Sequence, residues 1–254
     1  MRKLLVIGIG AGDPEYVTVQ AIRALNEADV FFVIEKGRET EELVRLRREI
    51  CERYIEHPSY RIVAVADPPR DRHAPAYRSA VEDWRARRAE LWERLIADEL
   101  SEDGCGAFLV WGDPSLYDST LAIVDQIRAR GTVAFEHEVV PGISSVHALS
   151  ARHLTPLNRV GGAVQITTGR RLAEGWPKGA DDVVVMLDAD CSFRHLADDG
   201  IEIYWGAYLG TDDEILVSGA LRDVGDDIER LRREARERKG WIMDAYLLRR
   251  TTTD

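Results

Sequence analysis

Short apolar runs alternate with helical segments through the first half of the chain, and this alternation limits the possible folds more than any other feature. Leu4 to Ile9 is an apolar run that glycines close, and Val17 to Ala28 has the apolar spacing of an amphipathic helix. Val30 to Ile34 and Ala107 to Trp111 are further runs of strand length, each followed by helical spacing. Strands that alternate with helices are typical of a mainly parallel sheet covered by helices. The sequence therefore predicts an α/β fold.

Strands dominate the second half of the chain. Helices are predicted there only near Ser144 to His153 and Val224 to Lys239. The predicted strands are Val164 to Thr168, Asp182 to Leu187, Ile201 to Ala207, Glu214 to Ala220 and Trp241 to Leu248. This change of pattern predicts two α/β domains, residues 1–138 and 139–254. Because domain interfaces form clefts, we expect the active site in the cleft between them.

Charge and cysteine content exclude several classes of protein. The 254 residues carry a formal net charge of −11, whereas duplex nucleic acid requires a basic face. No run of 18 apolar residues is present, so we expect neither a transmembrane helix nor a membrane partner. Three single cysteines (Cys51, Cys105, Cys191) support neither a disulfide framework nor a zinc site, and they fit a reducing cytoplasm. The six histidines show no metal-binding spacing, so we expect no metal.

Arginine is concentrated between Arg45 and Arg94, where there are 12 arginines. Solvated helix faces with Glu–Arg pairs are the favoured interpretation for most of them. Such a segment can also meet a small polyanion locally while the acidic chain repels nucleic acid.

A glycine-rich turn, Gly8-Ile9-Gly10-Ala11-Gly12-Asp13-Pro14, follows the first predicted strand and precedes the first helix. Glycines at such a point permit a tight turn and let a ligand approach the backbone. The turn is not a dinucleotide fingerprint, because Asp13 occupies the sixth position, and no Walker lysine follows. Taken alone, it is equally well explained as a structural turn.

Two more turns of this kind follow predicted strands. Trp111-Gly112-Asp113-Pro114-Ser115-Leu116-Tyr117 is at the end of one, and Val140-Pro141-Gly142-Ile143-Ser144-Ser145 opens a helix that Ser144 can cap. In an open α/β sheet, ligands bind at the carboxyl ends of the strands. Either turn alone is also compatible with a purely structural role.

The order of the three turns resembles the tetrapyrrole methylase family across nearly the whole chain. Segments further along are similar to one subgroup of that family, which acts in the aerobic cobalamin pathway. These segments are Leu154-Thr155-Pro156-Leu157-Asn158, Thr167-Thr168-Gly169-Arg170-Arg171, Val185-Met186-Leu187-Asp188, Trp205-Gly206-Ala207-Tyr208-Leu209-Gly210 and Gly240-Trp241-Ile242-Met243-Asp244.

The resemblance implies a two-domain enzyme, commonly a homodimer, that holds S-adenosylmethionine in the interdomain cleft and releases S-adenosylhomocysteine. Carried over position by position, the implied cofactor contacts are Trp111, Gly112, Asp113, Leu116, Ser144, Ser145, Met186 and Gly210. The N-terminal turn, with Gly10, Ala11, Gly12 and Asp13, is implied to face the tetrapyrrole. Many family members have proline where this chain has Ala11, which puts the usual contact of that position in doubt.

The subgroup implies methyl transfer to C-1 of precorrin-5, with loss of the C-20 acetyl unit as acetate, to give precorrin-6A. Acetate release needs water and a proton acceptor. Glu35 is the first candidate for the acceptor, followed by Lys36, Tyr54, Tyr77 and Tyr117, although a surface ion pair between Glu35 and Lys36 is a slightly favoured alternative. Precorrins carry several carboxylates, which arginine binds bidentately, so Arg170, Arg171 or arginines of the 45–94 segment are candidates for holding them.

Four other interpretations stay open at this point. The chain could methylate a different precorrin, since ring position depends on side chains that the sequence does not place. A Rossmann-like methyltransferase would use Glu35 on the ribose hydroxyls, and it predicts one continuous sheet. A nicotinamide-dependent dehydrogenase lacks its sixth fingerprint glycine here. A non-catalytic module would bind S-adenosylmethionine without consuming it.

Overall fold

Strand β1 (Arg2–Gly8) begins the computed structural model, which describes residues 1–35, 41–57, 59–69, 77–196 and 200–251. Side chains are described throughout these ranges except at residues 35, 41–43, 77–79 and 81. The chain divides into two compact units. The first unit comprises Met1–Gly10 and Pro14–Ile143, and the second comprises Ala11–Asp13 and Ser144–Asp254. The predicted domains 1–138 and 139–254, and the cleft between them, stay predictions.

The first unit has a five-stranded parallel sheet in the order β3-β2-β4-β1-β5 among its described residues. Its elements after β1 are α1 (Val19–Glu27), β2 (Val30–Glu35), α2 (Glu41–Tyr54), β3 (Arg61–Ala66), α3 (Tyr77–Glu99), β4 (Cys105–Val110), α4 (Thr120–Arg130) and β5 (Phe135–Val140). A 3₁₀ turn at Pro14–Tyr16 precedes α1. The parallel α/β arrangement expected from the alternating pattern is confirmed.

Side-chain alternation along β1 builds two separate cores on the two faces of this sheet. Leu4 and Val6 lie in one cluster with Trp92 and Phe108, while Leu5 and Ile7 lie in the other with residues of α1. All six residues of β4 are buried. Because helices cover both faces of a parallel sheet, its central strands are apolar throughout rather than alternating.

Local signals explain where the helices of this unit begin and end. The Thr18 hydroxyl accepts a hydrogen bond from the Ala21 amide (3.0 Å), which satisfies one of the free donors at the start of α1. Helix α4 ends at Gly131, whose φ of 68° is the left-handed conformation that glycine adopts readily. The indole of Trp92 stacks on Phe108 with 4.1 Å between centroids, so this tryptophan packs the core.

The second unit has a mixed sheet in the order β6-β7-β10-β8-β9. Its elements are α5 (Ser145–Arg152), β6 (Val164–Thr168), α6 (Gly169–Leu172), β7 (Asp182–Met186), β8 (Ile201–Ala207), β9 (Ile215–Ala220), α7 (Leu221–Lys239) and β10 (Asp244–Arg250), with a 3₁₀ turn at Ser192–His195. Strands β6 and β7 are parallel, and the other neighbours are antiparallel. One core cluster, centred on Trp205, Tyr246 and Phe193, serves this unit.

The strand prediction for the second half differs from the structure mainly at the last strand. β10 begins at Asp244, three residues after the predicted start at Trp241. Gly240, with a φ of 78°, caps α7, and Trp241 then packs edge-on against Tyr208 instead of entering the sheet. The four-residue helix α6 had no recognised signal in the sequence.

The Rossmann-like interpretation is wrong, because it required one continuous sheet, whereas the described strands form two sheets of five. Arg88 is an exception to the solvated pairing favoured for most arginines of the 45–94 segment: it is only 5% exposed and binds both carboxylate oxygens of Asp67 at 2.6 and 2.7 Å. Arg61 and Glu99 do form the expected kind of surface pair, at 2.9 Å. Within the described residues, no helix is both long enough and apolar enough to cross a membrane.

Candidate active site

The three glycine-containing turns meet at the carboxyl edge of the first sheet. Strands β4, β1 and β5 are neighbours, so the segments that follow them start side by side. The Gly112 amide donates to the Gly10 carbonyl (2.8 Å), and the Gly10 amide donates back to the Gly112 carbonyl at 3.3 Å. Two motifs about 100 residues apart therefore form a short antiparallel bridge. The turns thus converge at the kind of edge where open α/β sheets bind ligands.

Close backbone approach at this edge leaves no room for a side chain at two of the glycines. A Cβ on Gly8 would lie 2.6 Å from the Gly142 amide nitrogen, and a Cβ on Gly142 would lie closer still to the Gly112 carbonyl oxygen. Gly112 itself has a φ of 68°. These positions require glycine because neighbouring backbones occupy the space that any side chain would fill.

The Asp113 carboxylate joins the second turn to the third. One oxygen accepts from the Gly142 amide at 2.9 Å, and the other accepts from the Ser115 amide at 2.9 Å and from the Ser115 hydroxyl. Hydrogen bonds from amides to a carboxylate are stronger than neutral ones. Asp113 therefore holds the shape of this edge, and its contact with the cofactor stays a prediction.

The other predicted residues of the second turn surround this bridge. Trp111 and Leu116 are half-buried, and the Leu116 amide donates to the Asp113 carbonyl at 3.2 Å. Tyr117 is 45% exposed and has a φ of 52°. Burial raises the pKa of Tyr117 above its ordinary value, so the phenol stays protonated at neutral pH and is a poor proton acceptor.

Glu35 ends β2 at the same edge of the first sheet. Its backbone is paired in register with Ala66 of β3, and its side chain lies outside the described part of the structure. Lys36 lies outside the described residues, as does the Tyr77 side chain. The Tyr54 hydroxyl, another candidate acceptor, donates to the Pro14 carbonyl at 3.1 Å and so has a structural contact.

Ser144 and Ser145 lie at the start of α5 in the second unit. Ser144 is the N-cap residue, as expected, but its hydroxyl makes no capping bond to the helix backbone. It lies instead 2.8 Å from Nδ1 of His147 and is only 4% exposed, while Ser145 is half-buried. The expectation of side-chain capping is therefore wrong, because the histidine three residues later offers the hydroxyl another partner.

Most of the other predicted residues of the second unit lie at one edge of its sheet. Met186 ends β7 and pairs with Thr168 at the end of β6 and with Ala245 at the start of β10. Gly210 follows β8 at the same edge, with a φ of 77° and an amide that donates to Glu214 at 2.9 Å.

The N-terminal glycine turn continues into the second unit. A Cβ on Gly12, whose φ is 150°, would lie 3.0 Å from the Thr211 methyl and still closer to the Leu209 carbonyl oxygen. Ala11 is 2% exposed and Asp13 is half-buried. This part of the turn therefore packs on the loop that contains Gly210.

Arg170 and Arg171 lie in α6, directly after β6, and both are exposed. Arg171 pairs with Glu174 at 3.0 Å. Exposed pairs of this kind contribute only about 0–1 kcal/mol, so Glu174 does little to prevent Arg171 from binding a substrate carboxylate.

The edge of the second sheet where β6, β7 and β8 end is called the second edge below. Three non-glycine residues in the segments that follow β7 and β8 adopt left-handed backbone conformations. Leu187 follows β7 with a φ of 53°, Cys191 has a φ of 53°, and Tyr208 follows β8 with a φ of 51°. Such conformations cost about 1–3 kcal/mol each and persist where surrounding contacts determine them, often beside ligands. The sequence patterns did not indicate any of the three.

Asp188 is the centre of the contacts that fix this strained turn. Its buried carboxylate accepts from the Tyr246 hydroxyl (2.5 Å), the Ser192 amide (2.6 Å), the Ser192 hydroxyl (2.9 Å) and the Asp190 amide (3.1 Å). Arg232 donates to the Asp188 carbonyl at 2.6 Å and pairs with buried Asp244 at 2.9 Å. We call these residues (Asp188, Ser192, Arg232, Asp244, Tyr246) the Asp188 network. Sequence reasoning missed them as site residues, although an aspartate directly after an apolar strand was a usable signal.

No group of three or more metal-binding side chains occurs among the described residues. The expected absence of a metal stays a prediction.

The tetrapyrrole (corrin/porphyrin) methylase family model matches residues 3–225 of the chain. The chain therefore belongs to the tetrapyrrole methylase family, and it is an S-adenosylmethionine-dependent methyltransferase. Within the family, it is 53% identical over 250 residues to precorrin-6A synthase [deacetylating] from Sinorhizobium sp, covering 98% of this chain and 96% of the relative.

Solved structures agree with this assignment. A protein related to cobalamin synthesis (CobF) from Corynebacterium diphtheriae superposes with a TM-score of 0.87 at 38% identity, over 99% of this chain and 100% of the other. Uroporphyrin-III C-methyltransferase from Thermus thermophilus, complexed with S-adenosyl homocysteine, has a TM-score of 0.57 at 20% identity, over 97% of this chain and 92% of the other. The second likeness concerns the fold alone.

Proposed function

We propose that the protein transfers a methyl group from S-adenosylmethionine to C-1 of precorrin-5 and releases the C-20 acetyl unit as acetate, giving precorrin-6A. The observation that carries this proposal is the 53% identity to a deacetylating precorrin-6A synthase over 98% of the chain. Identity of this extent covers both units, so it concerns the substrate as well as the cofactor.

Each of the two sheet edges has an exposed apolar side chain beside a polar turn: Ile143 (36%) at the first edge and Leu187 (66%) at the second. The proposed cofactor contacts are Trp111, Gly112, Asp113 and Leu116 in the first unit and Ser144, Ser145, Met186 and Gly210 in the second.

The sulfonium group of the cofactor supplies an activated methyl, so the protein needs no covalent nucleophile for the transfer. The task of these residues is orientation, which can contribute about 7–11 kcal/mol when a reacting carbon is held in line. Rigid glycine contacts such as Gly8 with Gly142 suit that task, because the backbones cannot move apart without losing their packing.

Acetate release is the step for which the chain must supply a proton acceptor. Water adds its oxygen to the acetyl carbonyl carbon and gives a proton to the acceptor, and its second proton passes to solvent. The bond from that carbon to C-20 then breaks and acetate leaves. The bonding electron pair passes into the ring, where it neutralises the positive charge that methyl transfer to C-1 introduces. We propose Glu35 for this role, since it ends a strand at the edge where the glycine turns meet. Tyr117, which burial keeps protonated, is proposed as a hydrogen-bond donor to the substrate beside the same turns.

A product assay tests the proposed function directly. Purified protein with precorrin-5 and S-adenosylmethionine should release one S-adenosylhomocysteine and one acetate per turnover, with the product mass of precorrin-6A. Methyl transfer without acetate, on another precorrin, would favour the alternative substrate. Binding of S-adenosylmethionine without any turnover would favour the non-catalytic module.

Glu35→Gln tests the proposed acceptor. The amide keeps the size of the side chain but cannot take a proton, so acetate release should slow by about 10²–10⁴-fold while cofactor binding is unchanged. A single-turnover assay that follows methyl and acetate separately measures this. Unchanged rates for both products would remove Glu35 from the catalytic residues.

Substrate carboxylates are proposed to bind Arg170 and Arg171. Alanine at both positions should raise the KM for precorrin-5. It should also make that KM less dependent on salt concentration. Glu174→Gln is the matched control, because it removes the surface pair of Arg171 and leaves both arginines in place.

We also propose a cytoplasmic homodimer without nucleic-acid or membrane partners, and light scattering of the purified protein tests the dimer.

A further inference from the structure

The turn after β7 is strained in a way that its own residues do not explain. Leu187 has a left-handed φ of 53° although its side chain is 66% exposed and has little packing to hold it. Residues with a Cβ disfavour a left-handed φ, because the Cβ lies too close to the following carbonyl oxygen. Contacts from elsewhere must therefore hold the backbone of residues 186–188.

The Asp188 network supplies those contacts from both sides of the turn. The carboxylate is 5% exposed and has four donors, which matches the number of lone pairs on its two oxygens. The main-chain carbonyls of Asp188 and Ala189 each accept from the Arg232 guanidinium, at 2.6 and 3.2 Å. Both the side chain and the backbone of Asp188 are thus fixed.

Two donors in this network, Tyr246 and Arg232, come from rigid elements. Tyr246 lies in the middle of β10, where its backbone pairs with Val185 of β7 and Trp205 of β8. Burial raises the pKa of the phenol, so its hydroxyl stays protonated and donates to the Asp188 carboxylate. Arg232 lies on α7, held by the buried carboxylate of Asp244.

We propose that Asp188 is a positioning residue for the cofactor: with Tyr246 and Arg232 it holds the strained turn at residues 186–188 in the one conformation that binds S-adenosylmethionine. This inference rests on the proposed contact of Met186 with the cofactor. The network touches the ligand only through that turn, so its effect is on cofactor affinity.

Calorimetric titration of the full chain with S-adenosylhomocysteine tests the proposal. Tyr246→Phe removes one donor without changing the packed ring, and it should raise the Kd about 10-fold. Tyr204→Phe is the matched control, since that hydroxyl donates to Glu202 (3.0 Å) on β8 of the same sheet. Its Kd should stay within about twofold of the wild-type value.

A rescue experiment separates positioning from general stability. Glycine adopts a left-handed φ without strain, so Leu187→Gly should reduce the effect of Tyr246→Phe to threefold or less when the four Kd values of the double-mutant cycle are compared. If the two effects simply multiply, the network does not act through Leu187 and the proposal is wrong.

The outcomes also distinguish this inference from the proposed function. A wild-type protein that does not bind S-adenosylhomocysteine would overturn the cofactor assignment itself. Wild-type and Tyr246→Phe proteins that bind it equally would overturn only the positioning role. If Tyr246→Phe does not fold, Ser192→Ala removes a smaller donor from the same carboxylate, and equal binding by that variant would count against the proposal in the same way.

Discussion

The carboxyl edge of the first sheet and the edge of the second sheet where β6, β7 and β8 end hold their turns by opposite means. At the first edge, Gly8 and Gly142 lie so close to neighbouring backbone, including the Gly112 carbonyl, that side chains are excluded. At the second edge, Leu187 and Tyr208 adopt conformations typical of glycine while keeping large side chains. The first edge is thus shaped by glycines, which have no side chain, and the second edge by a buried polar network.

This difference has an energetic consequence. A glycine turn needs no external support for its conformation, but it fails if any side chain is added. A strained leucine turn tolerates substitution at the strained residue and depends instead on distant partners such as Asp188 and Tyr246. Mutations should therefore act locally at the first edge and remotely at the second.

The largest effect is expected from Gly142→Ala at the first edge. Its Cβ would overlap the Gly112 carbonyl oxygen, and the neighbouring atom is backbone that cannot rotate away. We expect a loss of about 3 kcal/mol in the free energy of unfolding, measured by urea denaturation. Gly161→Ala is the control: it has open space and a φ of 71°, so it should lose only about 1 kcal/mol. Equal losses would show that close approach does not matter at Gly142.

Asp188→Asn should destabilise the second edge by about 2 kcal/mol. The amide nitrogen that replaces one oxygen cannot accept, so it leaves one or two buried donors unsatisfied. Asp190→Asn, at an exposed neighbour, should change stability by less than about 0.5 kcal/mol. Thermal and urea unfolding of both variants measure the contrast. A similar result at the two positions would mean that the network carries little of the stability of this edge.

The smallest expected effect is a reversal of the usual order of stability, in which an alanine variant is more stable than a glycine variant. At Leu187, glycine should be more stable than alanine by about 1 kcal/mol, because alanine keeps the strained left-handed φ and glycine relieves it. Urea denaturation of Leu187→Gly and Leu187→Ala compares them directly. If alanine is the more stable variant, the turn relaxes easily and the distinction between the two edges weakens.

Local signals were sufficient for most of the first unit. The apolar runs predicted β1, β2 and β4, and the three turns lie, as predicted, directly after strands. The resemblance to the tetrapyrrole methylases, carried by the order of those turns, is confirmed by the family match over residues 3–225. These features succeed because periodicity and turn chemistry are written in neighbouring residues.

What the sequence by itself determined was therefore the α/β class, the family and the glycine edge. Only the tertiary structure decided that the Asp113 carboxylate joins two turns and that Leu187 is held in a left-handed conformation. The physical reason is the distance along the chain between partners: Asp188 lies 58 residues from Tyr246 and 44 from Arg232. No local pattern encodes such contacts, because they exist only after β7, β10 and α7 have packed together.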